Sequence, residues 1–380
     1  MCEMQSYGFK VLFFSGHLFL FLVWCEMFTA LSNSMSRKLN QFLDFISPIG
    51  QGCRLSIQLD INNSCNLACE HCYHSDHKNN FALQYNDWLN VIDKYEKLLN
   101  VLVMKPNIII CGGEPLLFKE LDKLLIHLRR KFHECDITIL SNGTLLEEDR
   151  AKLFKSLNIE LQMSVDGPDS ARHDSIRGIN SFNRTLNGCE ILIKHDVRFF
   201  HLAVLSKRTA DWIEDFFALP KLTGAQSMNF TRLISQGFAQ NLIGSGRDRA
   251  LSNLELKAAY LKIYECSKKH NISTSTKGPL WCLIDESLGS YCNIGINGFV
   301  ISYKGDVKLS SRIDYSIGNV LKDDLTDLFL HNNVMNELRV GKIDVCGSCK
   351  YFDKCRGDRN ASFVTHGHFL GSDPGCWLVN

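Results

Sequence analysis

The feature that most constrains the fold of this chain is an alternation of short apolar runs with helical patterns between residues 54 and 234. The run "NIIICGG" is continuously apolar and closed by glycines, which is typical of a strand buried on both faces. The segment 116–132 repeats leucine on one face of a helix. About six strands alternate with helices in this way, so we expect an α/β fold with a parallel sheet or barrel. In such folds the chemistry lies on loops at the carboxyl ends of the strands.

The domain organisation follows from the length of the chain and from a change of pattern near residue 251. A chain of 380 residues is long enough for one large domain and a smaller one. We expect a main α/β domain over 35–250 and a linker helix within 251–280. Residues 281–380 are different, because "GFVISYKGDVKLSS" predicts two short strands with a turn at "KGD" and the cysteines cluster there.

The amino-terminal segment allows three interpretations. Residues 11–31 are apolar and about long enough to span a bilayer. They belong to a hydrophobic leader over 1–34 that is a translation artefact ahead of the true start at Met35, a membrane anchor, or a buried helix. If the segment spans a membrane, Arg37 and Lys38 predict that the rest of the chain faces the cytoplasm. We therefore expect a cytoplasmic protein, with membrane anchoring through residues 11–31 as an open alternative.

Charge and cysteine content narrow the class of partner and ligand. The 42 lysines and arginines nearly balance 41 acidic residues, giving a formal charge of +1. No basic field indicates nucleic acid, and we expect no such partner. The chain has 16 cysteines. In a large intracellular chain, clustered cysteines bind metal more often than they form disulfides.

The first cysteine cluster lies in "SCNLACEHCYH", directly after a predicted strand. Cys65, Cys69 and Cys72 have the spacing C-x3-C-x2-C. A zinc site would need a fourth ligand, which His71 or His74 would supply. An iron–sulfur site fits differently, because three thiolates can hold a four-iron cluster and leave one iron open to a chelating cofactor. The spacing alone leaves both interpretations open.

Three further motifs follow successive strands, namely "CGGEPLL", "LSNGT" and "SVDGP". The glycine pair lets a ligand approach the backbone closely, and Glu114 offers a carboxylate to an ammonium group. Ser141 and Asn142 are polar groups at the end of the next strand. Ser164 and Asp166 offer hydrogen bonds to ribose hydroxyls. Each motif alone is more simply a turn, but their order at neighbouring strand ends predicts one ligand site.

Together with "HDSIRGINSF", these motifs resemble the radical S-adenosylmethionine (radical SAM) enzymes over roughly residues 53–240. The resemblance implies a partial (β/α)6 TIM-like barrel and a 4Fe–4S cluster at the first three cysteines. It implies S-adenosylmethionine on the open iron, reductively cleaved to a 5′-deoxyadenosyl radical that abstracts hydrogen from the substrate. His71 stands where the family usually has an aromatic residue near the adenine. The residues implied to contact the cofactor are His71, Gly112, Gly113, Glu114, Pro115, Ser141, Asn142, Ser164, Asp166 and Arg177.

The carboxyl-terminal cysteines form a second cluster in "DVCGSCKYFDKCRGD" and "GCW". From spacing alone, a structural zinc site and an iron–sulfur cluster are equally supported. Behind a radical SAM barrel, the segment resembles the SPASM extension, a cysteine-rich domain that normally binds two auxiliary 4Fe–4S clusters. The resemblance implies one complete auxiliary cluster, with the ligands Cys346, Cys349, Cys355 and Cys376.

The second auxiliary cluster of that pattern, the one nearer the active site, lacks two of its ligands in this chain. Ser310 and Arg359 stand where the SPASM pattern has cysteines. Cys282 and Cys292 match the other two ligands of the same cluster. Two thiolates alone should not hold four irons, so we expect a degraded site with Cys282 and Cys292 free or loosely paired. The resemblance then predicts about eight irons per chain.

The resemblance to SPASM-type enzymes implies an oxidoreductase that acts on a peptide or protein. Cross-linking or epimerisation of a ribosomally made peptide is the expected modification, with a flavodoxin- or ferredoxin-type electron donor. A sulfatase-maturase-like enzyme and a heme- or cofactor-modifying enzyme are the enzymatic alternatives. An iron–sulfur or zinc binding protein without catalysis is the alternative from another class.

Overall fold

The computed structural model of the protein describes residues 39, 40, 42, 54–75, 77 and 82–379. The hydrophobic leader over 1–34, with its apolar stretch 11–31, lies outside the described residues. Within the described ranges, no helix is both long and apolar enough to cross a membrane.

A nine-stranded sheet forms the centre of the fold, in the order β6-β5-β4-β3-β2-β1-β7-β8-β9. Strands β1 to β6 are parallel, which confirms the predicted α/β fold with six parallel strands. The strands are β1 (Arg54–Asp60), β2 (Lys105–Cys111), β3 (Asp136–Ser141), β4 (Glu160–Ser164), β5 (Phe199–Leu205), β6 (Met228–Arg232), β7 (Gly298–Ile301), β8 (Asp306–Lys308) and β9 (Ser316–Asn319).

Helices connect the strands and cover the sheet. Three short helices, and not one long helix, fill the connection between β5 and β6. The helices with described bounds are α1 (Tyr85–Leu102), α2 (Leu121–Lys131), α3 (Glu148–Ser156), α4 (Ser170–Arg177), α5 (Ser181–Lys194), α6 (Lys207–Ala210), α7 (Ile213–Phe216), α8 (Leu219–Thr223), α9 (Phe238–Gly244), α10 (Asn253–His270), α11 (Leu325–His331), α12 (Asn333–Arg339) and α13 (Arg359–His366).

The predicted hairpin at "KGD" exists as β7 and β8, but it joins the main sheet. β7 pairs in parallel with β1, with Ser56 opposite Gly298, and β8 and β9 continue the sheet in antiparallel fashion. Residues from the predicted carboxyl-terminal segment therefore share a sheet with the main segment. The sequence did not indicate this pairing, because a short strand carries no signal for which distant strand it will meet.

Side-chain burial explains why these segments form these elements. β1 buries Leu55, Ile57 and Leu59, which alternate with half-buried or exposed residues. Helix α1 buries Trp88 and Tyr95 against the sheet. Burying each of these aromatic side chains removes roughly 150–250 Å² of surface from water, and this burial stabilises the fold.

Helix α10 belongs to the same hydrophobic cluster as Cys282, Cys355 and Cys376. Its first turn is closed by reciprocal bonds, in which Ser252 Oγ accepts from Glu255 N and Glu255 accepts from Ser252 N. On its buried face, Tyr260 stacks on Trp281 with ring centroids 4.4 Å apart. This contact holds the segment after α10 in place and positions Cys282.

Candidate functional site

The carboxyl ends of the parallel strands surround a cavity of about 300 Å³, named here the cysteine-loop cavity. Cys65, Cys69 and Cys72, from the loop after β1, all line it. Burial raises the pKa of Cys65 to about 11 and that of Cys72 to about 12. Thiols with such pKa values ionise at neutral pH only beside a strong positive charge such as a metal centre.

Hydrogen bonds from the turn after β3 hold the cysteine loop in place. Asn142 Nδ2 donates to Asn66 Oδ1 at 3.0 Å, and Asn66 Nδ2 donates to Thr144 Oγ1 at 2.8 Å. Asn142 Oδ1 accepts from Thr144 N at 2.9 Å. The Asn142 amide also lies 4.0 Å from Cys65 Sγ. Asn142, predicted as a cofactor contact, thus lines the cavity but is committed to the loop that carries the thiols.

The glycine pair after β2 packs against the backbone of the cysteine loop. A Cβ atom on Gly112 would lie 2.6 Å from Asn62 O, and one on Gly113 would lie 2.3 Å from Ser64 O. Gly112 also has a φ of +151°, which side chains disfavour. Gly113 N donates to Asn62 O at 3.0 Å. Both glycines line the cavity, so their small size brings two loops together at the predicted ligand site.

Glu114 joins the second strand end to the third. Its side chain is 1 % exposed. Oε1 accepts from Ser141 Oγ at 2.7 Å and from Leu116 N at 3.2 Å, and Oε2 accepts from Asn142 N at 2.8 Å. Burial raises the pKa of this carboxyl. Pro115 is buried at the start of the short 3-10 helix Pro115–Leu117 and does not line the cavity.

Asp166 has partners other than those expected from the sequence. Its carboxylate is fully buried, and Oδ2 accepts from Arg177 Nε at 2.5 Å and from His71 Nε2 at 2.6 Å. Oδ1 accepts from Val204 N at 2.7 Å. Burial would raise the pKa of Asp166, but the adjacent Arg177 and His71 hold it well below its usual range. Asp166 does not line the cavity, and its contact with ribose stays a prediction.

Arg177 extends from Asp166 to the cysteine loop. Its Nη1 lies 3.8 Å from Cys69 Sγ. Burial raises the pKa of Cys69, and the nearby Arg177 partly offsets that increase. The arginine therefore places a positive charge beside one of the three thiols. Both Arg177 and His71 line the cavity.

Ser164 is the predicted site residue whose side chain stays available. It ends β4, is half-buried and lines the cavity. Its hydroxyl makes no hydrogen bond with any of the described residues. Ser141, in contrast, donates to Glu114 and accepts from Gly143 N at 2.9 Å.

Sequence reasoning missed several residues of the cavity wall. Tyr73, His74 and His77 follow the third cysteine and line one side. His74 Nε2 lies 3.1 Å from Gly112 O, within hydrogen-bond distance. The signal was the aromatic run directly after the cysteines. The other side is formed by the end of β6, the residues directly after it and the segment after β8, whose positions depend on the long-range pairing of the sheet: Thr231, Arg232, Leu233, Ile234, Ser311 and Arg312.

The carboxyl-terminal cysteines lie in loops and short 3-10 helices near α10. Cys355 is buried, accepts from Leu280 N at 3.2 Å and hydrogen-bonds with the thiol of Cys282. Burial raises the pKa values of Cys282 and Cys376, and the neighbouring thiols Cys349 and Cys346, respectively, add to that increase. Burial raises the pKa of Cys355 to about 12. Cys282 thus lies against the proposed ligands of the complete cluster.

The two positions that depart from the SPASM pattern have different surroundings. Arg359 is 1 % exposed, and its Nη1 donates to Phe369 O at 2.8 Å and to Gly371 O at 2.6 Å. Its Nη2 lies 3.9 Å from Cys346 Sγ. Ser310 lines a second cavity of about 500 Å³, named here the SPASM-side cavity, and so does Cys292.

The residues present fit the cofactors that the sequence implies. Three thiols face one cavity. The Ser164 hydroxyl and the main chain of the glycine pair face the same cavity from neighbouring strand ends. Among the described residues, no set of three or more His, Cys, Asp or Glu side chains is arranged for a single metal ion. The donor chemistry of three thiolates beside polar groups suits an iron–sulfur cluster with a chelating cofactor.

Comparison with known proteins gives consistent matches. Residues 59–219 match the family model of the Radical SAM superfamily. The AdoMet-dependent heme synthase of Nitratidesulfovibrio vulgaris is 23% identical over 349 residues, which cover 85% of this chain and 92% of that protein. The mycofactocin maturase MftC of Mycolicibacterium smegmatis is 26% identical over 341 residues, covering 86% of this chain and 83% of that protein.

Solved structures share the fold at low sequence identity. The native anSMEcpe structure with bound AdoMet has a TM-score of 0.67 and 21% identity, and the match covers 85% of this chain and 94% of that chain. SuiB of Streptococcus suis bound to the precursor peptide SuiA has a TM-score of 0.68 and 15% identity, with 89% and 79% covered. These structures support the predicted fold.

Proposed function

This chain is an enzyme with a radical SAM domain over residues 59–219, and we propose that it modifies a peptide or protein. When bound, the 4Fe–4S cluster and S-adenosylmethionine supply a 5′-deoxyadenosyl radical that abstracts hydrogen from a substrate carbon. The observation that carries the proposal is the convergence of three thiols, a glycine pair and a free serine hydroxyl on one cavity. Fold neighbours bound to peptides, SuiB with SuiA and anSMEcpe with the Cp18Cys peptide, support the substrate class.

The chain's own residues divide into those that face the ligand and those that position them. Cys65, Cys69 and Cys72 would hold the cluster. Ser164 would donate to or accept from a ribose hydroxyl, because its side chain has no recorded partner among the described residues. The main chain of the glycine pair would lie along the methionine part of the cofactor.

Two buried carboxylates act as positioning groups in this proposal. Glu114 fixes the main chain after β3 relative to the glycine pair. Asp166 orients His71 and Arg177, so that the guanidinium stays beside Cys69. Hydrogen bonds and positive charge near a cluster sulfur stabilise its reduced, more negative state.

We further propose that Cys346, Cys349, Cys355 and Cys376 hold one auxiliary 4Fe–4S cluster. The four thiols lie near one another, which supports the proposal: in addition to burial, a charge on Cys346 raises the pKa of Cys376, and a charge on Cys349 raises that of Cys282, which hydrogen-bonds with Cys355. A flavodoxin- or ferredoxin-type donor would supply the electron. Arg359 fills the position of a missing ligand with a buried guanidinium, which cannot ligate iron.

A second candidate function is the modification of heme or a related cofactor. Several relatives of this chain are named AdoMet-dependent heme synthases, and the match to them extends over almost their whole length. The two adjoining cavities, of about 300 and 500 Å³, have the size of sites for small-molecule ligands. This candidate differs from the first in its substrate and not in its radical chemistry.

Cofactor cleavage tests the proposed function. The protein is purified without oxygen, reconstituted with iron and sulfide, and reduced with dithionite in the presence of S-adenosylmethionine. We expect 5′-deoxyadenosine and methionine from the wild type, and none from a variant with Cys65→Ala, Cys69→Ala and Cys72→Ala. Cys189→Ala, a buried thiol outside both cysteine regions, is the matched control and should retain product formation.

The substrate class is tested in the same assay by adding candidate substrates. Precursor-like peptides should raise the rate and either change in mass on cross-linking or take up solvent deuterium on epimerisation in D2O, whereas porphyrin precursors of heme should not. The opposite pattern would replace the first candidate by the second. A protein that holds its clusters yet cleaves no cofactor with either substrate class would contradict both candidates.

A further inference from the structure

The SPASM-side cavity adjoins the cysteine-loop cavity directly. The two cavities have five lining residues in common: Gln58, Thr231, Arg232, Ser311 and Arg312. These residues come from β1, from the end of β6 and from the segment after β8. A ligand that reacts in the cysteine-loop cavity can therefore extend past this shared wall into the larger SPASM-side cavity.

The charged residues of the SPASM-side cavity leave an excess of positive charge. Arg232, Arg312 and Lys277 line it, against one acid, Asp358. Arg232 is neutralised within the protein, because its Nη1 lies 2.9 Å from Asp373 Oδ2 and 3.8 Å from Asp358 Oδ2. Two cationic groups, Arg312 and the exposed Lys277, thus remain to face a ligand.

Arg312 presents an uncommitted edge to both cavities. Its Nη1 donates to Thr231 Oγ1 at 3.0 Å and to Arg232 O at 3.1 Å. These two bonds hold one end of the guanidinium in place. In the described part of the chain, Arg312 forms no ion pair, and its charge acts on Asp358 only from a longer distance, where it helps to lower the pKa of that carboxyl. The other N–H groups keep the fork geometry that binds a carboxylate with two parallel hydrogen bonds.

A second polar group in the cavity wall also lacks a protein partner. Asn360 is 2 % exposed and lines the SPASM-side cavity, and its Oδ1 atom is buried without a hydrogen bond. A buried amide oxygen of this kind costs free energy unless a ligand or water satisfies it. Tyr260 and Trp281 supply an aromatic wall beside it. A small set of polar groups against an aromatic wall is typical of a ligand site.

The sequence change at this cavity agrees with a ligand site. Ser310 contributes a hydroxyl where the SPASM pattern has a thiolate ligand, and Cys292 is the thiol that remains in the wall. Cys282, the other thiol matched to that pattern, lies against Cys355. The cavity wall is therefore a polar, cationic surface with a single thiol.

We propose that the SPASM-side cavity is a substrate subsite for a carboxylate, which Arg312 binds through its free N–H groups. Lys277 adds a favourable charge from an exposed position on the cavity wall. Asn360 donates from its amide nitrogen to the carboxylate, and its buried oxygen accepts from an N–H or O–H group elsewhere on the ligand. The reacting carbon then lies on the other side of the shared wall, in the cysteine-loop cavity. The proposal rests on the proposed function, because it assumes a substrate that reaches both cavities. The carboxylate belongs to a peptide or to a porphyrin side chain.

Equilibrium dialysis with matched probes tests the proposal on the full-length reconstituted protein. One arm uses a pool of N-acetylated pentapeptides with a free terminal carboxylate, compared with the same pool as amides. The other arm uses heme compared with its dimethyl ester. In one arm, we expect the wild type to bind the carboxylate form with a dissociation constant about tenfold lower than that of the neutral form. A charge-assisted hydrogen-bonded pair contributes about 1.5 kcal/mol or more, which corresponds to such a ratio.

Variants assign that preference to the arginine. Arg312→Gln should abolish the preference, and Arg312→Lys should retain a part of it. Arg130→Gln changes an exposed arginine on α2, outside both cavities, and should leave the preference unchanged. Iron content and thermal unfolding are compared first, so that a misfolded variant is recognised.

A measurement on the wild type alone keeps the proposal testable if the Arg312 variants do not fold. Hydroxyphenylglyoxal modifies accessible guanidinium groups, and peptide mass mapping reports each arginine separately. Glutarate should protect Arg312 at least about threefold, whereas glutaramide should not, and Arg130 should show no protection.

The outcomes separate this proposal from the proposed function. A carboxylate preference in either arm that depends on Arg312 supports the subsite and identifies its source. Equal retention of charged and neutral probes in both arms, with no protection by glutarate, overturns it. Cofactor cleavage is measured on the same wild-type preparation. Cleavage without a carboxylate preference would overturn the subsite and keep the proposed function, whereas a carboxylate preference without cleavage would overturn the proposed function.

Discussion

The two cysteine regions of this molecule hold their thiols in different ways. The first three cysteines lie on a loop fixed by neighbouring parallel strand ends through Asn66, Asn142 and the glycine pair. The carboxyl-terminal cysteines lie on short 3-10 helices and loops, held by Arg359 and by packing on α10. The first region depends on the sheet, and the second depends on a few buried polar contacts. Mutations should therefore affect the two regions separately.

Among mutations that affect only one of the two cysteine regions, Asp166→Asn in the first region should have the largest effect. A neutral amide leaves the buried Arg177 without its counter-charge, and removing one partner of a buried pair costs about 3 kcal/mol or more. We expect the free energy of unfolding to fall by that amount. Loss of the contact that orients the groups around a metal site typically lowers activity by about 10- to 100-fold, which 5′-deoxyadenosine formation would measure.

The control for Asp166→Asn is Asp149→Asn. Asp149 is exposed and pairs with Lys152 at 2.8 Å, so its loss should change stability and rate little. Equal effects of the two substitutions would contradict the positioning role of Asp166. Loss of iron from the carboxyl-terminal region in the Asp166→Asn protein would contradict the separation of the regions.

In the second region, Arg359→Met should have the largest effect. The substitution leaves the carbonyl of Phe369 without a side-chain donor and that of Gly371 with Ser362 Oγ as its remaining donor, at a cost of roughly 2–3 kcal/mol. We expect faster amide hydrogen exchange over residues 346–376 and unchanged exchange in β1 to β4. Arg130→Met, at an exposed position, is the matched control. Faster exchange throughout the sheet in the Arg359→Met protein would show that the two regions are coupled.

The parallel-sheet region should also lose stability in mild acid. Burial lowers the pKa of His201 from 6.5 to about 4, so this side chain is neutral in the fold. Stability from a depressed histidine pKa is present above pH 6.5 and is lost as the pH falls toward 4. Between pH 7 and pH 5 the loss should be about 2 kcal/mol. Burial lowers the pKa of His173 to about 4 as well, so His201→Gln should reduce the pH dependence of the unfolding free energy and not abolish it. An unchanged slope would rule out His201 as a cause.

The smallest predicted effect is that of Ser164→Ala. The hydroxyl has no recorded protein partner among the described residues, so its removal should leave stability unchanged. Loss of one hydrogen bond to the cofactor should weaken S-adenosylmethionine binding about three- to tenfold. Ser156→Ala, at the end of α3, is the control for serine removal. Equal affinity of wild type and Ser164→Ala would remove Ser164 from the cofactor contacts.

Much of the fold was predictable from the sequence because its signals are local. Apolar runs such as that of β2 and the leucine face of α2 predicted the alternation of strands and helices. The cysteine spacing and the glycine pair also predicted which strand ends carry the site. These features depend on residues close together in the chain, and the structure places them at one cavity.

The roles of single residues were less predictable, because they depend on contacts between distant segments. Asp166 was predicted to bond ribose hydroxyls. In the structure its Oδ2 atom accepts hydrogen bonds from His71 and Arg177, which come from other segments of the chain. Arg312 was not recognised, because its place at the shared wall depends on the pairing of β7 with β1. Cys282 was matched to the nearer auxiliary cluster by order along the chain, whereas packing places it against Cys355.

The most direct test of this comparison is the iron and sulfide content of the reconstituted full-length protein and of two multiple variants. One variant carries alanine at Cys65, Cys69 and Cys72, and the other at Cys346, Cys349, Cys355 and Cys376. We predict about eight irons in the wild type and about four in each variant, with electron paramagnetic resonance showing a different cluster lost in each. About twelve irons in the wild type, or loss of all iron from either variant, would contradict one independent cluster in each region.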